Sequence, residues 1–339
     1  MRLLRRRSRP GHAAPPAATS AVVVSRGGMP ESVHAIAACV SDRDGVLAGE
    51  SSLGAAALEV FARSAAKPFQ ALAAVRGGAL DALGLDERHL ALACASHDSS
   101  DGRVALVREM LAAAGLDEGA LACGIAAPLD ATIAREIGED VRPVHHNCSG
   151  KHALGLALCA HAGWPTEGYL EPAHPLQEAM RASVAEAIGT RPSEAVDGCG
   201  MRAYRTPLGA LAVAFGRLAG GGLGAAGERV AAAMVANAPL VGRAGGIDIE
   251  LMRSSHGLVA KLGAEGVAAA GLPDGRGMAV KVLDGAGRAL APAAVRTLRA
   301  GLSIDAGPDL DELAAPAVLT GRGGEAGSIA AELEFTPVR

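Results

Sequence analysis

Ser64 and Lys67 stand three residues apart in Phe61-Ala-Arg-Ser-Ala-Ala-Lys-Pro-Phe-Gln70, a spacing that sets both on one side of a helix start. Pro68 follows at once; without a backbone N–H it fits the first turn of a helix and not its interior. The pattern predicts a helix beginning just after Ser64, with Ser64 at or near the N-cap and Phe69, Leu72 and Ala73 on one apolar face. The positive end of the helix dipole disfavours an ammonium there and favours an oxyanion. A hydroxyl beside an uncharged amine is an activated nucleophile. Taken alone, the motif reads better as a capping serine followed by a solvated lysine, so its company must decide.

Four other segments pair a reactive group with a turn: Ser96 in Ala-Ser-His-Asp98, Cys148 and Lys151 in Asn147-Cys-Ser-Gly-Lys-His152, Asp197 and Cys199 in Asp-Gly-Cys-Gly200, and Lys261 in Lys-Leu-Gly263. A serine–lysine turn, a second loop serine and a K-x-G lysine, in that order, form the outline of the serine penicillin-recognising enzymes. The S-x-N element of that outline is missing, and Ser96-His97-Asp98 stands in its place, which weakens a penicillin-binding reading. By spacing alone Ser96 reads as a helix cap, and Cys148 and Cys199 read as buried small hydrophobes, since no C-x-x-C pair exists. His97, His145 and His146 have no evident partner and read as structural or surface residues. His152 falls four residues after Cys148, on the same face if that stretch is helical.

The elements that must position these groups form a mixed pattern. Ala21–Val24 and Val33–Val40 read as strands, and Asp42-Arg-Asp-Gly45 turns the chain into a hairpin toward Val46-Leu47. Helical spacing covers Val104, Val107 and Leu111, with Asp101 as a cap and Gly115 as the stop, and again Leu176 to Ile188, stopped by Gly189. Val259–Gly263 and Val280–Leu283 read as strands, and Asp284-Gly-Ala-Gly287 predicts a further hairpin. Strands at both ends with helices between them predict an antiparallel sheet flanked by helices, an α+β (α/β) architecture.

Composition narrows the function classes. The chain has 339 residues, 50% hydrophobic but only 2% aromatic, so alanine, leucine and valine must fill its core. The net charge of −4 and the lack of a basic stripe give no support to nucleic-acid binding. No apolar run reaches the length of a bilayer span, and the expected location is the cytosol, where six scattered cysteines remain reduced. Residues 1–19, with five arginines and a Pro/Ala stretch, read as a disordered tail, because no apolar run follows the basic residues as a secretory leader would need. Residues 20–335 are expected to form a single catalytic domain, with an α/β part and a helical part.

Together these segments, with Ser25-Arg-Gly-Gly28, Glu31-Ser-Val-His34 and Lys261-Leu-Gly-Ala-Glu-Gly266, resemble the Rhizobium-type L-asparaginases, the asparaginase II family. The resemblance runs over most of the chain after the tail. It implies a serine β-lactamase/glutaminase-like fold, a homodimer, and hydrolysis of L-asparagine to L-aspartate and ammonia. The serine–lysine pairs it implies are Ser64/Lys67 and Ser96/Lys261, with Arg63, Asp197 and His152 at the substrate. It also implies a zinc ion on Cys148, Lys151 and Cys199, and no organic cofactor. Amide hydrolysis needs a nucleophile, a base, an acid for the leaving ammonia and an oxyanion pocket. A lysine serves as base only if its pKa falls from ~10.4 toward ~7–8, roughly 4 kcal/mol of environment. Two other classes stay open: a serine acyl-enzyme acting on a β-lactam or peptide, and a non-catalytic metal-binding relative.

Overall fold

The computed structural model describes residues 20–305 and 307–338; the expected tail at 1–19 lies outside the described residues. Eleven strands appear among them: β1 (Ala21–Arg26), β2 (Met29–Ser41), β3 (Leu47–Glu50), β4 (Glu59–Phe61), β5 (Ser193–Val196), β6 (Arg202–Pro207), β7 (Val259–Gly263), β8 (Val267–Gly271), β9 (Gly277–Val282), β10 (Ala317–Leu319) and β11 (Glu325–Glu332). The main sheet runs β10-β11-β1-β2-β9-β8-β7, with β3 also on β2, and a small sheet runs β4-β6-β5. Neighbouring strands pair antiparallel throughout. The mixed, antiparallel architecture expected from the sequence is therefore what the chain adopts.

The strand patterns explain the layering. In β1, Val22 and Val24 are buried and their neighbours are not, the period-two alternation of a sheet with one covered face. The second half of β2 is buried on both sides, because β3 and β9 flank it and helices cover it. With so few aromatic rings the sheet is faced by small side chains: β8 is Val-Ala-Ala-Ala-Gly, entirely buried. That lets the helix Leu208–Ala219 lie close on β8 and β9. Its Phe215 meets Phe69 of the helix Lys67–Arg76 edge to face, ring centroids 5.2 Å apart, an arrangement worth ~1 kcal/mol beyond its buried area. One aromatic pair thus ties the Ser64–Lys67 region to the sheet.

Two expectations need correction here. Asp284–Gly287 does not close a hairpin: the chain passes into a 3₁₀ turn and the helix Leu290–Arg296. Leu290 through Val295 are buried, so burial of this segment overrides the turn signal, and the hairpins lie instead between β7, β8 and β9. Asp101 is the first helical residue rather than the cap; Ser100 occupies the cap position. Among the described residues no single helix is long and apolar enough to cross a membrane.

Candidate active site

The segment around Ser64 folds differently from the expected capped helix. Arg63–Ala66 is a 3₁₀ turn, and the α-helix starts at Lys67 with Ala66 before it, so Ser64 is not an N-cap. Pro68 does fall in the first turn, as its missing N–H allows. Arg63 sits at φ +50°, a left-handed conformation that costs a non-glycine residue about 1–3 kcal/mol and collects at functional sites. Its guanidinium is anchored by Asp197 (Nη2–Oδ1 2.8 Å), which also accepts from the Gly198 N–H at 2.7 Å. Burial works against ionisation of Asp197, but the charges of Lys151 and Arg63 and the Gly198 N–H hold its carboxyl below the ordinary value.

Lys67 is buried, and its Nζ lies 3.1 Å from Ser96 Oγ, with the Ala95 carbonyl and, at 3.5 Å, the Asn147 carbonyl as its other partners. An uncharged amine has two N–H groups and one lone pair. Two carbonyls and the Ser96 hydroxyl oxygen accept from the three donors of the charged form; once Nζ is uncharged, the hydroxyl can instead donate to its lone pair. Burial, and after it the nearby Lys151 and Lys261, lower the Lys67 pKa, with the Cys148 thiol opposing. Among the described residues no hydrogen bond joins Lys67 to Ser64 or Lys261 to Ser96; Lys67 and Ser96 form the serine–lysine contact.

The Ser96 loop is pinned from both sides. Ser96 N–H donates to Val241 O at 3.1 Å, and His97 N–H to Asn147 O at 3.2 Å. His97 is fully buried; its Nδ1 accepts from Ser99 N–H, so Nε2 carries the proton and donates to Ser149 Oγ at 2.8 Å. Ser149 Oγ in turn donates a hydrogen bond to Val144 O at 2.8 Å. Burial pushes the His97 pKa down to about 3, with Lys67 and Arg103 in support. His145 and His146 are also buried and accept backbone N–H groups, which agrees with structural roles for all three. Asp98 pairs with Arg103, whose guanidinium reaches on to the carbonyls of Pro239 and Gly242.

Lys261 lies mid-strand in β7 and forms a buried salt bridge with Asp248, in the first turn of the helix Ile247–Ser254. Gly263 brings β7 against the approach to Ser64: a Cβ there would stand 2.4 Å from the Ala62 carbonyl oxygen. Ser64, Ser96, Asn147, Asp248 and Lys261 line one cavity of about 250 Å³, at the small end of ligand pockets. The cavity therefore brings together three of the four expected catalytic residues, with Lys67 reaching Ser96 from behind. Asp248, Asn147 and Arg103 were not singled out from the sequence. A signal for Asp248 existed: Gly242-Arg-Ala-Gly-Gly246 is a glycine-rich loop running into a helix.

Behind Lys67 lies a second cluster. Lys151 Nζ is 3.4 Å from Cys199 Sγ, and a hydrogen bond from Cys199, more than any nearby charge, holds the Cys148 thiol well below its usual range. Burial favours a neutral Lys151, but the neighbouring Cys199, Cys148 and Asp197 outweigh it and raise its pKa. His152, expected at the substrate, is instead fully buried: Nδ1 bonds Tyr169 Oη at 2.7 Å, and Nε2 lies against Cys199 without a good hydrogen bond. It sits in the helix Ser149–Ala162, one turn on from Cys148 and enclosed by its neighbours, and does not line the cavity. Among the described residues no three His, Cys, Asp or Glu side chains form a metal-binding group, so a third donor here would have to be Lys151.

The chain is similar to known proteins in one strong respect. The family model for L-asparaginase II matches residues 22–331. No curated protein matches the chain. Among solved structures, Mglu in its native form in 4.3 M NaCl is 18% identical, with a TM-score of 0.37 over 79% of this chain and 61% of that one. Mglu in its L-glutamate binding form is 17% identical, with a TM-score of 0.39 over 79% and 60%. The chain thus spans about three-fifths of the length of these Mglu chains.

Proposed function

The chain belongs to the L-asparaginase II family, a family of amidohydrolases, and on that premise we propose that it hydrolyses L-asparagine to L-aspartate and ammonia through a serine acyl-enzyme. The observation that carries the reading is the buried Lys67 Nζ, 3.1 Å from the Oγ of a cavity serine, in surroundings whose burial lowers its pKa toward the uncharged amine. In this reading Lys67 takes the proton of the attacking serine, and the serine oxygen bonds to the side-chain amide carbon. The carbon–nitrogen bond then breaks, and water releases aspartate. Ser96 Oγ lies against Lys67 Nζ, and Ser96 and Ser64 open onto the same cavity. Mass-spectrometric mapping of a trapped acyl adduct identifies which of them is acylated.

The same reading takes Arg63 and Asp197 as the groups that hold the substrate's charged α-carbon substituents. It takes residues 20–335 as one catalytic domain of serine β-lactamase/glutaminase-like fold, assembled as a cytosolic homodimer. The serine–lysine turn entering a helix, opposite a strand lysine, supports the fold assignment, and the six free, buried cysteines support a reducing compartment.

We also place a zinc ion on Cys148, Cys199 and Lys151. The residues fit: two thiols in contact, one held toward thiolate, a lysine against the second, and a buried His152 nitrogen turned to the cluster without a good partner. Zinc there would supply fixed positive charge beside Asp197, steadying the loop that holds the substrate amine. Lys151 must lose its proton to ligate, so occupancy should fall as pH drops.

The test is ammonia release by the purified protein. L-asparagine should be turned over much faster than L-glutamine, because one extra methylene displaces the amide carbon from the attacking oxygen. Equal or faster glutamine turnover would discard the specificity; no release from either amide would discard the amidase reading.

A further inference from the structure

We propose that Asp248 is a positioning residue for this hydrolysis, holding Lys261 as an ammonium aimed into the cavity so that Lys261 serves as the acid and Lys67 as the base. The inference rests on the asparaginase reading above. Lys261 lines the cavity and Lys67 reaches its Ser96 from behind, and the two lysines keep different company. Lys67 meets carbonyls and a hydroxyl, whereas Lys261 meets a carboxylate as enclosed as itself. Two buried groups of opposite charge tolerate desolvation only as a pair.

The place of that carboxylate is built into the fold. A Cβ on Gly242 would stand 2.4 Å from Asp248 Oδ1, and one on Gly246 would stand 3.0 Å from it. The loop 242–246 therefore has room for this carboxylate only because both positions lack side chains. Arg103 fastens the same loop through the Gly242 carbonyl and ties it to Asp98, two residues beyond Ser96. Lys261 projects from a strand and Asp248 from a helix, so the ammonium is fixed by rigid elements rather than by a mobile loop.

The proton count closes over a full turnover. The attacking serine gives its proton to Lys67 as its oxygen bonds to the amide carbon. Lys261 gives one to the amide nitrogen as the carbon–nitrogen bond breaks and ammonia leaves. Lys261, now neutral, takes a proton from the attacking water. Lys67 returns its proton to the serine oxygen as the ester bond breaks. One water is consumed and both lysines regain their starting states.

The test is a cycle of Asp248→Asn, Lys261→Met and the double variant, read by kcat, KM and melting temperature. Asp248→Asn should lower kcat about 10²-fold, the scale of a lost proton-transfer group, with KM little changed. In the Lys261→Met background it should lower kcat no further, since its role passes through that lysine. Lys261→Met alone strands a buried carboxylate, so the double variant should melt higher than the single. An additive kcat cycle, or wild-type kcat in Asp248→Asn, would overturn the inference while leaving the asparaginase reading intact. Should Asp248→Asn fail to fold, a double variant melting no higher than Lys261→Met would overturn it as well. A wild-type protein that releases no ammonia from L-asparagine would sink both readings.

Discussion

Lys67 and Lys151 are both enclosed, and burial pushes both toward the neutral amine, yet they settle on opposite sides of the ordinary lysine value. On the hydroxyl side, Lys67 has carbonyls, a serine and two other lysines near it, with Cys148 and Cys199 acting the other way. On the thiol side, Lys151 has two cysteines and Asp197. For Lys67 burial prevails while its thiol and lysine neighbours oppose one another; for Lys151 the cysteines and Asp197 outweigh burial. Two lysines a few residues' reach apart can thus serve opposite purposes, one as a proton acceptor and one as a fixed charge or metal ligand.

The sharpest way to break this contrast is to remove the hydroxyl-side amine. Lys67→Ala should lower kcat ~10²–10⁴-fold with the fold intact by circular dichroism. Lys67→Arg should fare no better, because a guanidinium cannot give up its proton. Near-normal turnover in either variant would take Lys67 out of the chemistry. On the thiol side the expected effect is smaller and of another kind. Cys148→Ser should raise KM more than it lowers kcat, the mark of lost uniform binding. Elemental analysis should find about one zinc per chain in the wild type and far less in the variant. Wild-type protein without zinc, together with unchanged kinetics in Cys148→Ser, would return both cysteines to ordinary core packing.

His97 sharpens the contrast most gently, because it joins the two sides by bonding Ser149 from the Ser96 loop. Its pKa is about 3 in the folded chain, against ~6.5 unfolded. The unfolded chain therefore binds a proton that the folded one refuses as pH falls between those values. The stability due to neutral His97 is intact above pH ~6.5 and is lost by up to about 1.4 kcal/mol per pH unit below it. Melting curves from pH 7 to pH 4 should be flatter in His97→Gln than in wild type; parallel curves would remove His97 as a source of acid lability.

The parts of this site that could be read from the sequence are those set by short-range rules. The serine–lysine turn, the Ser96 loop, the strand around Lys261 and the Asp197–Gly200 turn each carry a local signature, and each lies where the site is built. Partnership was another matter. That Lys67 meets Ser96 and that Lys261 meets Asp248 follow from how segments 95–102 and 239–248 dock, and His152 is sealed away by its packing on Tyr169 and Cys199; no local spacing encodes either. The hairpin expected at Asp284–Gly287 failed for the same reason: the tertiary demand to bury Leu290–Val295 outranked good turn chemistry.

Arg103 carries a consequence for motion. One guanidinium binds Asp98 and Ser100 on one segment and the carbonyls of Pro239 and Gly242 on another, so neither segment can lift without breaking the other's bonds. The two should open as one cooperative unit, with amides on both exchanging with solvent at a common rate. A lysine in its place, with a single point of charge, could not span both, and the segments would breathe independently.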